Sequence, residues 1–133
     1  MHTLPLLLLP LLAAPAPQEK ADAELFLRVE GTTVRAAIPI EIDYKWHLYH
    51  DDLGPEDAIG KPTTLQFSGA PVTWSPVRFP EPVKYDQAYG KEGKPTWIRG
   101  HEDSIVLYAV GELEEGGDLS GLLVSIDGLT WNP

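Results

Sequence analysis

The side chains best suited to chemistry are concentrated in one segment, Tyr44 to Asp52, which reads Tyr-Lys-Trp-His-Leu-Tyr-His-Asp-Asp. Its two imidazoles, His47 and His50, stand beside two carboxylates, and such donors bind divalent transition metals. On an extended strand His47 and His50 point to opposite faces, so they converge only if the chain turns at 49–51. A third ligand such as His101 would have to come from far along the chain. The spacing therefore favours a structural His47 packed beside aromatic residues, with a metal site as the alternative.

Paired carboxylates are the second group of residues that could support catalysis, as general acids and bases. The pairs are Asp51 with Asp52, Glu56 with Asp57, and Glu114 with Glu115. Adjacent residues in turn-like segments rarely converge on one substrate, so solvated loop charge is the better interpretation. The serines lack a flanking nucleophile pattern, and the chain contains no phosphate-binding glycine loop and no helix-borne metal motif. The sequence thus predicts no catalytic residue and no cofactor.

Composition limits the remaining chemistry. The 133 residues include no cysteine, which excludes disulfides, thiolate metal sites and cysteine nucleophiles within them. The formal charge is −10, and lysines and arginines do not cluster. That balance argues against nucleic acid or an anionic membrane as a partner. We interpret the acids as a solvated surface in preference to a docking face for a basic partner.

The beginning of the chain has the features of an export signal. Residues 1–17 carry no Asp, Glu, Lys or Arg, and Leu4 to Ala14 is a leucine-rich apolar run. The run is too short to span a bilayer, which takes about 20 apolar residues. It predicts a secretory signal peptide with small residues at Ala14 to Ala16 for cleavage. We expect a linker at 18–23, a mature domain at 24–133 without a transmembrane segment, and a periplasmic or secreted location.

The mature chain alternates apolar and polar residues with a period of two. Glu24 to Glu30 and Val34 to Asp43 each place apolar side chains on one face and charged ones on the other, with Gly31-Thr32-Thr33 as a hairpin connection. Such half-buried strands are typical of antiparallel sheets. Pro39 cannot donate to a sheet ladder, so we expect an edge position or a bulge there.

Further short strands follow, separated by breakers. Ser104 to Val110 is almost continuously apolar, which predicts a mid-sheet strand buried on both faces, whereas 50–62 and 85–95 are predicted loops. The other predicted strands are Lys45–Tyr49, Thr63–Phe67, Val72–Trp74, Leu119–Ile126 and Leu129–Trp131. Seven or eight short strands with turn signals predict an all-β, immunoglobulin-like antiparallel sandwich. An up-and-down barrel is the weaker alternative, because prolines at 76, 80 and 82 interrupt a simple meander.

The four tryptophans are numerous for this length. Exposed aromatic residues on strands can form a platform for carbohydrate or peptide. In a sandwich they more often belong to the core, and we expect at least two of Trp46, Trp74, Trp97 and Trp131 to be buried.

Several short motifs, in order, resemble one family: the N-terminal periplasmic domain of the thiol:disulfide interchange protein DsbD, also described as the disulfide bond corrector domain. The resemblance lies in Ile40–Asp52 (a Trp-His-aliphatic-Tyr signature), Gly60–Leu65 (Gly-x-Pro-Thr), Trp74–Pro76 with Phe79–Pro82 (aromatic-Pro-x-Pro) and Leu122–Trp131 (the last strands). It covers most of the mature chain. The residues matched to these motifs, which we interpret as structural, are Trp46, His47, Tyr49, Pro62, Thr63, Pro80 and Pro82.

The resemblance implies an immunoglobulin-like sandwich outside the cytoplasmic membrane. In the DsbD family this domain passes reducing equivalents to oxidised periplasmic partners through a cysteine pair. Those cysteines usually follow the strand that Leu129–Trp131 resembles, and no position here matches them. Thiol–disulfide exchange needs a thiolate, so the electron-transfer role does not carry over. Two interpretations stay open: the front part of a longer reading frame, or a relative that kept the fold and lost the thiols.

The functional hypothesis that follows is an exported, non-catalytic binding module. Its partner would be another exported protein, thioredoxin-like or otherwise disulfide-handling, met through the loops at 50–62 and 85–95. This partner class is an analogy from the fold. The alternatives are a redox domain whose cysteines lie beyond Pro133, and a metal-binding protein that uses His47 and His50.

Overall fold

The computed structural model describes residues 7–10 and 20–132, and this part of the chain is built from strands and contains no helix. The strands are β1 (Leu7–Pro10), β2 (Ala21–Glu30), β3 (Thr33–Ile42), β4 (His47–Tyr49), β5 (Thr64–Ser68), β6 (Val72–Trp74), β7 (Val83–Gln87), β8 (Thr96–His101), β9 (Ser104–Leu113), β10 (Leu123–Asp127) and β11 (Thr130–Trp131). Within the described ranges, therefore, no helix is long and apolar enough to cross a membrane.

The strands form three antiparallel sheets. The long sheet has the order β1-β2-β3-β9-β6, the short sheet has the order β11-β4-β8-β7, and β10 pairs with β5 in a two-stranded ribbon. The inward residues of β2, β3 and β9 meet Leu48 of the short sheet and Val124 of the ribbon in one core. Its largest fully buried side chains include Leu25, Leu27, Val34, Ile38, Ile40 and Leu107. Each such aliphatic side chain stabilises the fold by about 2 kcal/mol. The predicted antiparallel β-sandwich is confirmed.

Several predicted boundaries are corrected. β2 begins at Ala21, inside the stretch predicted as a linker, because its register with β3 continues to the pair Ala21 and Ile42. Gln18 and Glu19 of that linker lie outside the described residues. The same holds for most of the predicted signal peptide, of which only Leu7–Pro10 is described, as strand β1 paired with β2. Cleavage near residues 14–20 therefore stays a prediction.

The predicted loop at 85–95 is shorter than expected. Val83–Gln87 forms β7 and pairs with β8 in a continuous register, so the connection is confined to 88–95. This strand was hard to predict, because Val-Lys-Tyr-Asp-Gln combines strand formers with polar residues and no clear apolar alternation.

The prediction for Ser104–Val110 is half right. β9 lies in mid-sheet between β3 and β6, but it is not buried on both faces. Leu107 and Ala109 face the core, whereas Tyr108 and Val110 are 54% and 39% exposed on the opposite face. A continuous apolar run predicts a strand, but it does not tell whether one face of that strand or both faces are buried.

Pro39 departs from expectation more sharply, because it occupies the central strand β3 and not an edge. Its register with β9 is unbroken and includes the pair Pro39 and Val106. On the other side, the ladder with β2 stops at Ala23 and resumes at Phe26 with the same register, so there is no bulge. The chain accommodates the missing N–H by interrupting one ladder opposite the proline.

The tryptophan expectation is also corrected. All four indoles are half-buried and none reaches full burial. Trp74 stacks on Phe67 with ring centroids 3.9 Å apart, which joins the ribbon to the long sheet, while Trp46 packs against the core margin.

Candidate functional site

The segment with the most chemically capable residues forms β4, in the interior of the short sheet. Leu48 and its partner on β8, His101, lie on the face toward the core. His47 and Tyr49 lie on the outer face, as alternation along a strand requires. This arrangement separates His47 from His50, whose contacts are on the core side.

The outer face carries an aromatic cluster, formed by His47, Tyr49, Tyr85 and Trp131. His47 stacks on Tyr85 at 4.1 Å between ring centroids and meets the edge of Trp131 at 5.0 Å. Tyr49 stacks on Trp131 at 4.3 Å. The Trp131 ring can lie this close to the sheet because it covers Gly100, where any Cβ would stand 2.4 Å from a ring carbon.

His47 is 7% exposed and has an incomplete set of polar contacts. Its Nε2 lies 3.8 Å from Oε2 of Glu102, while its Nδ1 is buried with no hydrogen-bond partner among the described residues. The Tyr85 hydroxyl donates a 3.1 Å hydrogen bond to Oε1 of Glu102. Burial, together with this carboxylate, raises the pKa of Tyr85, so the phenol stays protonated and keeps donating.

On the core side, His50 Nδ1 lies 2.8 Å from His101 Nε2. One nitrogen must donate and the other accept, which requires at least one neutral ring. His50 Nε2 also lies 3.0 Å from Oδ1 of Asp51, and the Phe79 ring packs against the His50 ring at 5.4 Å. Burial and the neighbouring His50 charge lower the pKa of His101 to about 4. Burial also lowers the pKa of His50, against the opposing effect of Asp51.

The backbone of His50 closes the long loop that follows β4. The His50 N–H donates to the Arg99 carbonyl at 3.1 Å, and its carbonyl accepts from the Thr63 N–H at 3.3 Å. The fully buried Thr63 hydroxyl donates to the Tyr49 carbonyl at 2.6 Å. Both ends of the loop are thus fixed to β4.

The two loops predicted to meet a partner are joined to each other. The Gln87 side chain accepts from the Ile59 N–H at 2.9 Å and donates to the Ile59 carbonyl at 2.8 Å. Asp57 binds the second loop from both sides: its carbonyl accepts from the Lys91 N–H at 2.7 Å and its carboxylate from the Thr96 hydroxyl at 3.0 Å. We call residues 51–62 and 88–95 together the two-loop surface.

Other singled-out residues fall at separate places. Pro62 is exposed next to Thr63, and Pro80 and Pro82 are half-buried in the connection from β6 to β7. The acid pairs do not converge: Asp52 forms an ion pair with Arg99 at 3.1 Å, whereas Asp57 fastens the loops. Among the described residues, no three His, Asp or Glu side chains are grouped to hold a metal ion.

Three contributors to this region were not singled out with their partners from the sequence: Tyr85, Glu102 and the pairing of His101 with His50. Tyr85 lay in a predicted loop. His101 is the last residue of β8 and Glu102 follows it, and no strand was predicted there. The only available signal was the alternation Ile98, Gly100, Glu102, which is too short to predict a strand.

A small cleft lies at the end of β4 away from the two-loop surface. It encloses about 290 Å³ and includes in its lining Asp43, Lys45, Trp46, His47, Glu102 and Asp103. We call it the acidic cleft. Its residues come from the turn before β4 and the turn after β8, which the pairing of these two strands brings side by side.

Fold and site together define an all-β antiparallel sandwich with an aromatic and histidine-rich short sheet. Neither the protein-family models nor the curated proteins gave a match to the sequence. Among solved structures, the N-terminal periplasmic domain of ScsB from Proteus mirabilis matches with a TM-score of 0.55 and 13% identity, over 90% of this chain and 49% of that one. The chain thus spans about half the length of this neighbour. The likeness shows the fold, that of a DsbD-like N-terminal domain.

Proposed function

We propose that this chain is an exported, non-catalytic binding module that docks another exported protein through the two-loop surface. The observation that carries the proposal is the pair of hydrogen bonds between Gln87 and Ile59, which fixes the two loops as one surface. Fixed loops lose little conformational entropy on binding, and this favours docking.

The surface presents apolar anchors that the core does not use. Ile59 is 44% exposed and Tyr89 is 64% exposed. The backbone of Ile59 is hydrogen-bonded to the side chain of Gln87, two residues before Tyr89. Tyrosine is among the side chains that supply most of the binding energy at protein interfaces. The same two loops carry charged residues of both signs, Glu56, Lys61, Lys91 and Glu92, which suits a protein partner better than a uniformly charged polymer.

Export is supported by the predicted signal peptide and by the periplasmic origin of the structural neighbour. A thioredoxin-like partner is the finer proposal, and it rests on analogy with the DsbD family. The chain contributes no thiolate of its own, so the role assigned to it is recognition and not electron transfer.

The experiment is capture of partners from the exported fraction with the full chain, C-terminally tagged, followed by binding of each purified candidate. The double variant Ile59→Ser/Tyr89→Ser should lose the captured protein. The matched control Tyr108→Ser alters another exposed aromatic residue, 54% exposed on the long sheet, and should retain the captured protein. Equal capture by all three proteins, or none by the folded parent, would contradict the proposal.

The two alternatives are separable from this proposal. A redox domain with cysteines beyond Pro133 predicts a native protein heavier than the 133 residues account for, with disulfide-reductase activity. A metal protein predicts metal retained through purification and lost in His47→Ala.

A further inference from the structure

Strand β2 has one edge that is only partly covered. Its neighbour on that side is β1, which pairs antiparallel with four of its ten residues, from Leu7 opposite Leu27 to Pro10 opposite Glu24. Among the described residues, the rest of this edge has no strand beside it. An unpaired strand edge is a template for another extended chain, and the pairing with β1 shows that this one accepts a strand in antiparallel orientation.

The covering strand belongs to the predicted signal peptide. Cleavage near residues 14–20 removes Leu7–Pro10 and leaves the edge of β2 without its β1 partner. On the inward side of β2, Leu25, Leu27 and Val29 are buried with β1 in place, so the opened edge borders directly on the core. Export would therefore convert a partly covered edge into an open one that is ten residues long.

The outward side of β2 carries opposed like charges at both ends. Asp22 lies directly across the ladder from Glu41 of β3, and Arg28 lies directly across from Arg35. Like charges in these positions destabilise a strand pair. Within 20–132, neither acid of the first pair forms an ion pair, and the two arginines share one ion-paired carboxylate, that of Glu30 at 2.9 Å from Arg28. The strand thus has an acidic end and an arginine-rich end.

We propose, on the basis of the proposed export, that the processed chain forms a two-fold dimer in which β2 pairs antiparallel with β2 of a second copy, centred on Leu25. In this register Asp22 of each copy lies opposite Arg28 of the other, so both ends of the strand gain a partner of opposite sign. The inward sides match as well, because Ala23 lies opposite Leu27 and a small side chain meets a large one. Such a contact joins the two long sheets into one.

The neighbouring registers bring like charges together. A pairing centred on Phe26 places Asp22 opposite Glu30 of the second copy. A pairing centred on Glu24 places this glutamate opposite itself, and one centred on Leu27 places Glu24 opposite Glu30. A shift of the partner strand by a single residue would turn the apolar side of one copy to the solvent side of the other. Charge complementarity therefore selects the proposed register among these.

Cysteine cross-linking tests the register, because the chain has no cysteine of its own. The full chain is expressed with its leader and isolated from the exported fraction, and its N-terminus is determined by mass spectrometry. A mixture of Asp22→Cys and Arg28→Cys should form a disulfide-linked dimer at least about tenfold faster than either variant alone, since only the mixture brings two cysteine Cα atoms within about 7 Å. The register control is Glu24→Cys mixed with Arg28→Cys, which a pairing centred on Phe26 would favour instead.

Sedimentation equilibrium of the same processed chain tests the charge pairing. Asp22→Arg sets an arginine opposite Arg28 of the second copy and should weaken the dimer about tenfold, since each dimer contains two such pairs. The exchange Asp22→Arg/Arg28→Asp restores opposite charges and should recover most of the affinity. Glu115→Arg makes the same change of charge at an exposed turn away from β2 and should leave the affinity unchanged.

Four results would overturn the proposal. They are a processed chain that stays monomeric at millimolar concentration, a faster cross-link in the Glu24→Cys mixture, a dimer that is insensitive to Asp22→Arg, and an exported chain that retains Leu7–Pro10. None of them bears on the two-loop surface, where docking is tested at Ile59 and Tyr89. Failure of the dimer and failure of the proposed function are therefore distinguishable.

Discussion

His50 and His101 form a nitrogen-to-nitrogen hydrogen bond of 2.8 Å on the core side of the short sheet. His50 is also the residue whose backbone closes the loop of the two-loop surface, through Arg99 and Thr63. The His50–His101 pair therefore lies at the base of that loop.

The first prediction concerns the pH dependence of stability. The pKa of His101 falls to about 4 in the folded chain from 6.5, and that of His50 is also lowered. Because the unfolded chain binds these protons first, stability is complete above pH 6.5 and falls as the pH drops toward 4. The loss from His101 is at most about 3 kcal/mol.

Urea denaturation at pH 7 and pH 4.5 measures this effect. The control is His101→Asn, which keeps an N–H donor for His50 and should show a clearly smaller loss between the two pH values. A parent whose free energy of unfolding is the same at both values would contradict the assignment of a buried neutral pair. Burial is the largest cause of the lowered pKa of His50, ahead of the charges of Asp51, Arg99 and Asp52, so salt should change this difference only slightly.

The second prediction tests the structural role of Thr63. Its buried hydroxyl donates to the Tyr49 carbonyl at 2.6 Å, so Thr63→Val leaves a buried acceptor unpaired and should lower the free energy of unfolding by about 1–3 kcal/mol. The neighbouring Thr64 is exposed, and Thr64→Val is the matched control, with an expected change within about 0.5 kcal/mol. Equal effects of the two variants would show that this hydroxyl does not hold the loop.

The third prediction concerns the bond between the two loops. Gln87→Ala removes both hydrogen bonds to Ile59 and should speed amide hydrogen exchange at Ile59, where the N–H is now bonded to the side chain. Gln66→Ala, at an exposed position on β5, should leave that exchange rate unchanged. Exchange at Ile59 that is already fast in the parent would mean that the loops are not joined in solution.

The period-two alternation of β2 and β3 predicted the antiparallel sandwich, because a strand that buries one face alternates apolar and polar residues. Contacts between elements far apart in the chain produce no such local pattern. His47 and His50 are visible in the sequence, but the partner of His50 is His101 from β8, a strand whose alternation is hidden by Gly100 and by loop-like composition around it. The prediction of an edge position or a bulge at Pro39 was wrong for the same reason. Whether a strand tolerates a missing N–H depends on how the neighbouring strand pairs with it.

The short aromatic segment around Trp46 indicated which face of the strand each side chain takes, but not which residues pack against it. Its alternation places His47 outward and Leu48 inward, and the structure shows both placements. Which rings lie over His47 depends on β7 and β11, and no local pattern specifies them.

The central claim, docking of an exported partner on the two-loop surface, is tested most directly by photo-crosslinking in cells that express the full chain. A photoreactive phenylalanine analogue at Tyr89 should capture a discrete exported protein, and the same analogue at Tyr108, on the long sheet, should not. Crosslinks of equal yield at both positions, or a Tyr89 position that captures nothing while the protein is exported and folded, would contradict the account.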